Sequence, residues 1–446
     1  MSWLRRLAGE APVPVFPVLG VGEHAALHRL ALTPGVELVD SPRHASVMLV
    51  AGRVPASLHD ELRRVHDQHP WPFATLWYRS RPLPGLEGAM QSDDLEGLAV
   101  DLRRLHRELM DGRRDSSPRL LPDVPPNPWE GLGDDGHGGE GMMGGVPYGR
   151  PMAMNMQDDL RDGLTLDSLT FRLGPFFPAF PAGLGAEITL QGDVIQTWTT
   201  QNAPYPVALD AVFREARERP VPIARLELAR ARYHLQRLYH GLRLAGLERT
   251  ALQALRLASE MTPERMQQEA RAKAVEHALQ GLRRRLVRCG FFTLAALDEG
   301  CLSAEQACQI GGPAARASGI EEDLRSEDTE YRRLGFAPIC HSGGDSRARW
   351  QQYLAEIAQS LQLACQAVSD NRYTHESGAV ETPRGAWRDR RPADVSTLLD
   401  DLLPGLEWDT ALASLASLDL AGVAEWPPGA DEASASRPDA ETERSR

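Results

Sequence analysis

The chain has 446 residues, more than one ordinary hydrophobic core organises, so we expect two or three domains. Its formal net charge of −13 argues against a nucleic-acid partner, since such an interface needs clustered positive charge. No apolar run approaches the ~20 residues of a membrane span, and no apolar segment of a secretory signal follows the basic residues near Met1, so we expect a cytoplasmic protein.

Short apolar strands alternate with amphipathic helices in the first quarter of the chain. Strands are predicted at 36–39 and 46–51, and helices at 56–69 and 95–110. Leucines recur at three- and four-residue spacing along the second helix, which gives it one apolar face. This alternation is typical of a mostly parallel sheet, so we assign residues 1–111 to an α/β domain.

Residues 112–162 contain few core-forming side chains and many Pro, Gly, Asp and Met residues, which predicts a flexible linker. Thioether and imidazole groups on a pliable backbone suit a soft ion such as Cu(I). The alternative is a low-complexity tether whose methionines contact a partner surface loosely. The candidate soft-metal ligands are His137, Met142, Met143, Met152, Met154 and Met156.

Strand patterns return at 164–195, with a hairpin turn predicted at Gln191–Asp193. From Pro222 onwards, three–four spacing predicts a bundle helix that breaks near Gly246, with its arginines mainly off the apolar face. Further helices are predicted over 263–288 and 346–368. Residues 163–425 are therefore an expected α+β domain with a small antiparallel sheet and a long helical bundle, and 426–446 an expected disordered tail.

The cysteines are odd in number and lie after residue 288. Their scattered spacing indicates reduced thiols rather than a disulfide framework. None forms a CxxC pair, so we expect no zinc or iron–sulfur site among them. They are Cys289, Cys301, Cys308, Cys340 and Cys365.

The stretch ELVDSPRHASVMLVAGRVPASLHDELRRVHDQHPWPFATLWY resembles the small iron–sulfur subunit of complex I and of related [NiFe] hydrogenases. In that family four cysteine thiolates hold a [4Fe–4S] cluster, but the corresponding start here, VLGVGEHAALHRL, contains no cysteine. Glu23, His24, His28 and Asp40 are hard or borderline ligands that replace thiolates poorly. The resemblance therefore implies the fold without the cluster, and we expect a colourless protein.

Five later motifs resemble the large, hydrogenase-like subunit that lies beside the small one. In order they are GPFFPAFPAGLGAEITLQGDVI, RLELARARYHLQRLYHGLRLAGL, IGGPAARASGIEEDLRSED, GGDSRARWQQYLAEIAQSLQLACQAV and AVETPRGAW. In that family two loop histidines face the quinone headgroup. Phe177 and Pro181 stand at those positions, and neither side chain donates a hydrogen bond or a proton. The nickel- and iron-binding cysteine pairs have no counterpart either.

The phenylalanines of this loop have two interpretations. They form an apolar slot for a quinone tail or a lipid, or they are aromatic core that fills the space a ligand once occupied. We favour the second, and we expect Phe177 and its neighbours to fill the pocket where the two domains pack together.

The resemblances imply a non-catalytic structural or coupling subunit of a complex-I-like assembly, related to NADH:quinone oxidoreductase or a membrane hydrogenase. On this hypothesis the chain is a subunit fusion with no catalytic residue and no cofactor, held peripherally at the inner membrane by membrane subunits. One alternative is an assembly or maturation scaffold for a [NiFe] hydrogenase, with hydrogenase-type partners. The other is an oxidoreductase component that uses the redox centres of partner subunits.

Overall fold

The computed structural model describes residues 2–122, 168–294, 299–375, 380–387 and 395–420. We call residues 2–122 the N-terminal module and the described residues from 168 onwards the C-terminal module. Strands and helices predicted in the N-terminal module are present within three residues of their expected bounds, except that a 3₁₀ turn (Ala56–Leu58) replaces the start of one helix. Its elements are α1 (Ser2–Glu10), β1 (Val13–Leu19), α2 (His24–Ala31), β2 (Val36–Leu38), β3 (Val47–Ala51), α3 (His59–Asp67), β4 (Ala74–Tyr78), β5 (Met90–Ser92) and α4 (Leu98–Met110).

The five N-terminal strands form one parallel sheet in the order β2-β1-β3-β4-β5. β3 and β4 are buried along their whole length, because their continuous apolar sequences face packed side chains on both sides of the sheet. One face packs against α2 and α4, and the other against α3 and residues of the C-terminal module. The α/β prediction is confirmed.

The C-terminal module begins with a three-stranded antiparallel sheet in the order β6-β7-β8. Gly192, with a φ of 61°, makes the turn between β7 and β8 where the sequence predicted it. A helical region follows, so the α+β prediction is also confirmed. The elements are β6 (Ser168–Leu173), β7 (Gly185–Gln191), β8 (Val194–Asn202), α5 (Ala211–Glu215), α6 (Ile223–Leu244), α7 (Glu248–Glu260), α8 (Pro263–Met266), α9 (Glu269–Arg288), α10 (Phe291–Leu294), α11 (Ala304–Ile310), α12 (Gly312–Ala317), α13 (Thr329–Arg333), α14 (Ser346–Asp370), β9 (Val380–Thr382), β10 (Gly385–Trp387), α15 (Val395–Leu402) and α16 (Trp408–Leu418).

The helices α6 and α14 pack against each other and share one apolar core with α7 and α9. Gly241 permits this contact, because a Cβ atom there would lie 2.4 Å from Cζ2 of Trp350. The predicted break near Gly246 is present, since Gly246 has a φ of 71° and α7 begins two residues later.

The two modules touch through apolar and charged groups. Phe176 and Tyr205 of the C-terminal module join the apolar cluster on the sheet face that packs α3. Arg243 of α6 donates a hydrogen bond of 2.7 Å to the carboxylate of Asp40 in the N-terminal module. The predicted packing of one domain on the other is therefore confirmed.

Part of the sequence assigned to the linker lies against the N-terminal module. The Ser117 amide donates to the Phe73 carbonyl at 2.8 Å, and the Leu121 amide donates to the Asp67 carboxylate at 2.7 Å. Residues 123–162 of the predicted linker and the predicted tail at 426–446 lie outside the described residues. In the part of the chain that is described, no helix has both the length and the apolar character needed to cross a membrane.

Candidate functional site

The loop between β6 and β7, residues 174–183, carries both positions where the resemblance predicted lost quinone ligands. Gly174 has a φ of 88°, and a Cβ atom there would lie 2.1 Å from the Leu184 carbonyl oxygen, so the turn requires glycine. Phe180 is buried in the core of the C-terminal module, whereas Phe176 is buried against the N-terminal module. The loop is therefore anchored in two different cores.

Phe177 and Pro181 line a cleft of about 380 Å³ at the junction of the modules, which we call the apolar cleft. Its other walls come from β1, α2, α6 and α16. The expectation that aromatic side chains fill this space is wrong. Phe176 and Phe180 border the cleft but are buried in two separate cores, and Phe177, partly buried, packs edge-on against Phe180 with ring centroids 5.1 Å apart.

Three polar residues separate the apolar cleft from a second cavity of about 330 Å³. His24, Arg237 and His240 line both spaces, and we call them the polar wall. His24 begins α2, while Arg237 and His240 lie on one side of α6, so the wall is built only when the modules pack together. The sequence analysis considered His24 only as a poor substitute for an iron–sulfur thiolate ligand and did not predict its place in this wall.

A second histidine of α2 completes the contact between these helices. The Nε2 atoms of His28 and His240 lie 3.1 Å apart, the distance of an N–H···N hydrogen bond. Loss of hydration, together with the positive charge of Arg237, lowers the pKa of His24 to about 4. Loss of hydration, with His24 and Arg237 adding to it, lowers the pKa of His28 to about 3, and the pKa of His240 is also held well below its ordinary value. All three imidazoles are therefore neutral near pH ~7.

Behind the polar wall, the C-terminal module contains a buried charge network centred on Glu227 of α6. Its carboxylate accepts hydrogen bonds from Tyr331 at 2.7 Å, Ser360 at 2.6 Å and Arg325 at 3.1 Å, and it is paired with Arg230. Burial by itself raises the pKa of Glu227, but the two guanidinium groups outweigh it and hold that pKa below its usual value. The carboxylate is thus charged and fully partnered.

The same network extends through the motif that begins at Ile310. Arg316 donates two hydrogen bonds to Glu356, at 2.7 and 3.0 Å, and one to Asp323 at 3.1 Å. Asp323 in turn accepts a 2.7 Å hydrogen bond from Arg325, and His234 lies 3.3 Å from Glu356. These charges are compensated by one another, as buried ions must be.

Sequence reasoning missed the positions of the α6 arginines. Three–four spacing placed them mainly off the apolar face, yet Arg230 is fully buried, Arg237 lies in the polar wall and Arg243 bridges the modules. Glu227 and Arg230 stand three residues apart, and that i,i+3 spacing of opposite charges was the available signal for their pairing.

The residues after β1 do not fit the iron–sulfur cluster that the small-subunit family holds. The Gly20 amide donates to the Ala51 carbonyl at 2.7 Å, and the Val21 amide to the Arg53 carbonyl at 3.1 Å. A Cβ atom at Gly20 would meet the Gly52 carbonyl at 2.5 Å, so backbone closes the crevice at the ends of β1 and β3. A [4Fe–4S] cluster also needs thiolates, which the N-terminal module lacks.

No group of His, Cys, Asp or Glu side chains within the described ranges is arranged to hold a metal ion. The soft-metal ligands predicted in the linker all fall outside those ranges, and that prediction stays open. They are His137, Met142, Met143, Met152, Met154 and Met156.

Residues 258–399 match the family described as the respiratory-chain NADH dehydrogenase, 49 Kd subunit. Among solved structures, the chain is similar to one from the membrane-bound sulfane sulfur reductase (MBS), an archaeal respiratory membrane complex. That match has 13% identity and a TM-score of 0.46, and it covers 57% of this chain and 98% of the other. No curated protein sequence matches the chain. The chain therefore contains a region similar to the 49 kDa subunit, and this region includes the motifs at 310–328, 343–368 and 379–387.

Proposed function

We propose that the chain is a non-catalytic structural or coupling subunit of a complex-I-like membrane assembly. It joins a module similar to the small iron–sulfur subunit to a module similar to the large quinone-site subunit. On this proposal it lies at the membrane periphery, attached through the membrane subunits of the assembly. It contributes docking surfaces and shape rather than electron transfer.

The observation that carries the proposal is a contrast inside the C-terminal module. The charge network built from the motif residues Glu227, Arg316 and Asp323 is complete and buried, which supports a retained large-subunit framework. The loop that would face a quinone has Phe177 and Pro181, which have no side-chain donor or acceptor. A module that keeps the buried charge network but lacks quinone-binding side chains suits a structural role in the assembly.

The contact between the modules supports the same proposal. Apolar burial of Phe176 and Tyr205 and the ion pair between Arg243 and Asp40 fix the modules in one arrangement. A fused chain also supplies both modules in equal amounts and at high effective concentration for each other. Both properties suit a scaffold for membrane subunits.

The test is native purification of the tagged full-length chain from membranes of its source organism in a mild detergent. We expect it to co-migrate with membrane subunits related to cation antiporters. Arg243→Glu, which sets two negative charges face to face at Asp40, should weaken that association, whereas Lys273→Glu on the exposed surface of α9 should not. Recovery of the wild-type chain alone, or only with hydrogenase maturation proteins, would contradict the proposal.

A second experiment separates structure from catalysis. Deletion of the gene should abolish the assembly, whereas Phe177→Ala should leave the quinone reductase activity of the assembled complex within about twofold of wild type. A fall of about a hundredfold in kcat for Phe177→Ala, with the assembly intact, would show that the loop takes part in the reaction.

A further inference from the structure

The polar wall holds hydrogen-bonding groups that the fold leaves unused. The Nδ1 atom of His24 is enclosed and, among the described residues, has no hydrogen-bond partner. Arg237 donates from Nη2 to the Ala416 carbonyl at 2.8 Å, and its Nε lies 3.3 Å from Asp419. This Nε atom is also enclosed and, among the described residues, has no hydrogen-bond partner. Buried donors without partners are costly, so this wall is suited to a ligand with acceptor atoms.

The apolar cleft leads to these groups from one side. Phe176, Phe177 and Phe180 lie along it on the loop, and Leu27 and Leu412 come from α2 and α16. Its volume of about 380 Å³ lies within the ~300–1,000 Å³ usual for small-molecule sites, which pair apolar walls with a few convergent polar groups.

We propose that the apolar cleft binds a small amphipathic monocarboxylate, such as a medium-chain fatty acid. Its carboxylate lies against Arg237, His24 and His240, and its apolar body lies along the loop from Phe176 to Pro181. This inference does not rest on the role of the chain in a membrane assembly, because it concerns only the cleft.

The charges around the cleft select a monoanion. A cation is disfavoured, since Arg237 keeps a permanent positive charge in the wall even though Asp419 lies 3.3 Å from its Nε. A dianion is disfavoured too, because Asp40 lies at the edge of the cleft and Arg243 is already engaged there by Asp40 and Glu248. One carboxylate supplies two acceptor atoms for the guanidinium, and charge-assisted hydrogen bonds of this kind are strong.

Ligand binding should also take up protons. The imidazoles of His24 and His240 are neutral in the empty site, because loss of hydration and Arg237 lower their pKa values. A carboxylate placed beside them favours their protonated forms and raises both values. Proton uptake on binding should therefore be measurable near pH ~6 and weaker near pH ~8.

The test is calorimetric titration of the full-length protein with decanoate near pH ~6, in two buffers of different ionisation enthalpy. Decanol has the same apolar body without the charge, and we expect it to bind at least about tenfold more weakly. The buffer comparison should give net proton uptake. Absence of decanoate binding, or equal binding of decanol, would overturn the proposal.

Two variants locate the site. Phe177→Trp enlarges a partly buried side chain that lines the cleft, and His24→Ala removes one donor of the wall. Each should weaken decanoate binding about tenfold or more, with a thermal midpoint close to that of wild type. His277→Ala, on the exposed face of α9, is the matched control and should bind decanoate normally. Unchanged affinity in both cleft variants would place any binding elsewhere and overturn the assignment.

Discussion

The imidazoles of His28 and His240 face each other across the junction of the two modules, with their Nε2 atoms 3.1 Å apart. One ring donates its N–H to the unprotonated nitrogen of the other, so the contact exists only while at least one ring is neutral there. Since His28 belongs to α2 and His240 to α6, this hydrogen bond ties together helices 212 positions apart in the sequence.

We expect the protein to lose stability as the pH falls below about 6.5, the ordinary pKa of histidine in an unfolded chain. His28 has a folded-state pKa of about 3, so between these values the unfolded state binds more protons than the folded state. The contribution of His28 to the unfolding free energy is thus fully present above the unfolded-state pKa and is lost as the pH falls towards the folded-state pKa. His28 alone contributes up to about 1.4 kcal/mol per pH unit in this window.

Urea unfolding at a series of pH values measures this effect. His28→Gln should give a flatter dependence of the unfolding free energy on pH between about 6 and 4, because one titrating group is removed. His277→Gln, at an exposed position on α9, should follow the wild-type curve. Identical curves for the two variants would show that His28 is protonated equally in both states.

Phe180 and Phe177 are neighbours in one loop, but we expect their replacement by alanine to lower the unfolding free energy by very different amounts. Phe180 is buried and its ring lies 5.5 Å from that of Trp198, so Phe180→Ala should cost about 3–5 kcal/mol of unfolding free energy. Phe177 borders the apolar cleft, so Phe177→Ala removes fewer contacts and should cost less than about 2 kcal/mol. Chemical denaturation compares them, and equal losses would mean that the cleft is closed in solution.

Arg230 should be essential to the C-terminal module. It is paired with Glu227 and Glu381 and donates to Tyr331 at 2.9 Å, all within a fully buried network. Arg230→Met leaves Glu381 without its cation and Glu227 with Arg325 alone, and it should cost about 3–5 kcal/mol. Lys273→Met, which breaks an ion pair with Glu269 on the exposed surface, should leave the denaturation midpoint unchanged. A mild effect of Arg230→Met would show that the network is hydrated.

Replacing two helical glycines with alanine should change the stability of the protein in opposite directions. A Cβ atom at Gly241 would lie 2.4 Å from the Trp350 indole, so Gly241→Ala should separate α6 from α14 and cost about 1–3 kcal/mol. No atom lies within 4 Å of a Cβ at Gly281 in α9, so Gly281→Ala should stabilise by about 0.5–1 kcal/mol. The thermal unfolding midpoint should fall for Gly241→Ala and rise for Gly281→Ala. A stabilising Gly241→Ala would contradict the close packing of these helices.

The local pattern of apolar and polar residues was sufficient to predict the architecture of both modules. The uninterrupted apolar run Val47–Ala51 gives a strand buried on both faces of a parallel sheet, as found. Three–four spacing gave α6 and α14, and Gly246 marked the end of the first bundle helix. These features depend on residues close together in the chain, so local sequence patterns are enough to predict them.

The candidate site, in contrast, depends on contacts between residues far apart in the chain. Phe177 and Pro181 were identified in advance, but the cleft beside them persists because Phe176 and Phe180 pack into separate cores. Helical periodicity predicts Arg230 to be a surface residue of an amphipathic helix. In the folded protein it is buried, because the carboxylate of Glu381, 151 positions away, compensates its charge. Burial of a charge and survival of a cavity depend on partners distant in sequence, and helical periodicity contains no information about them.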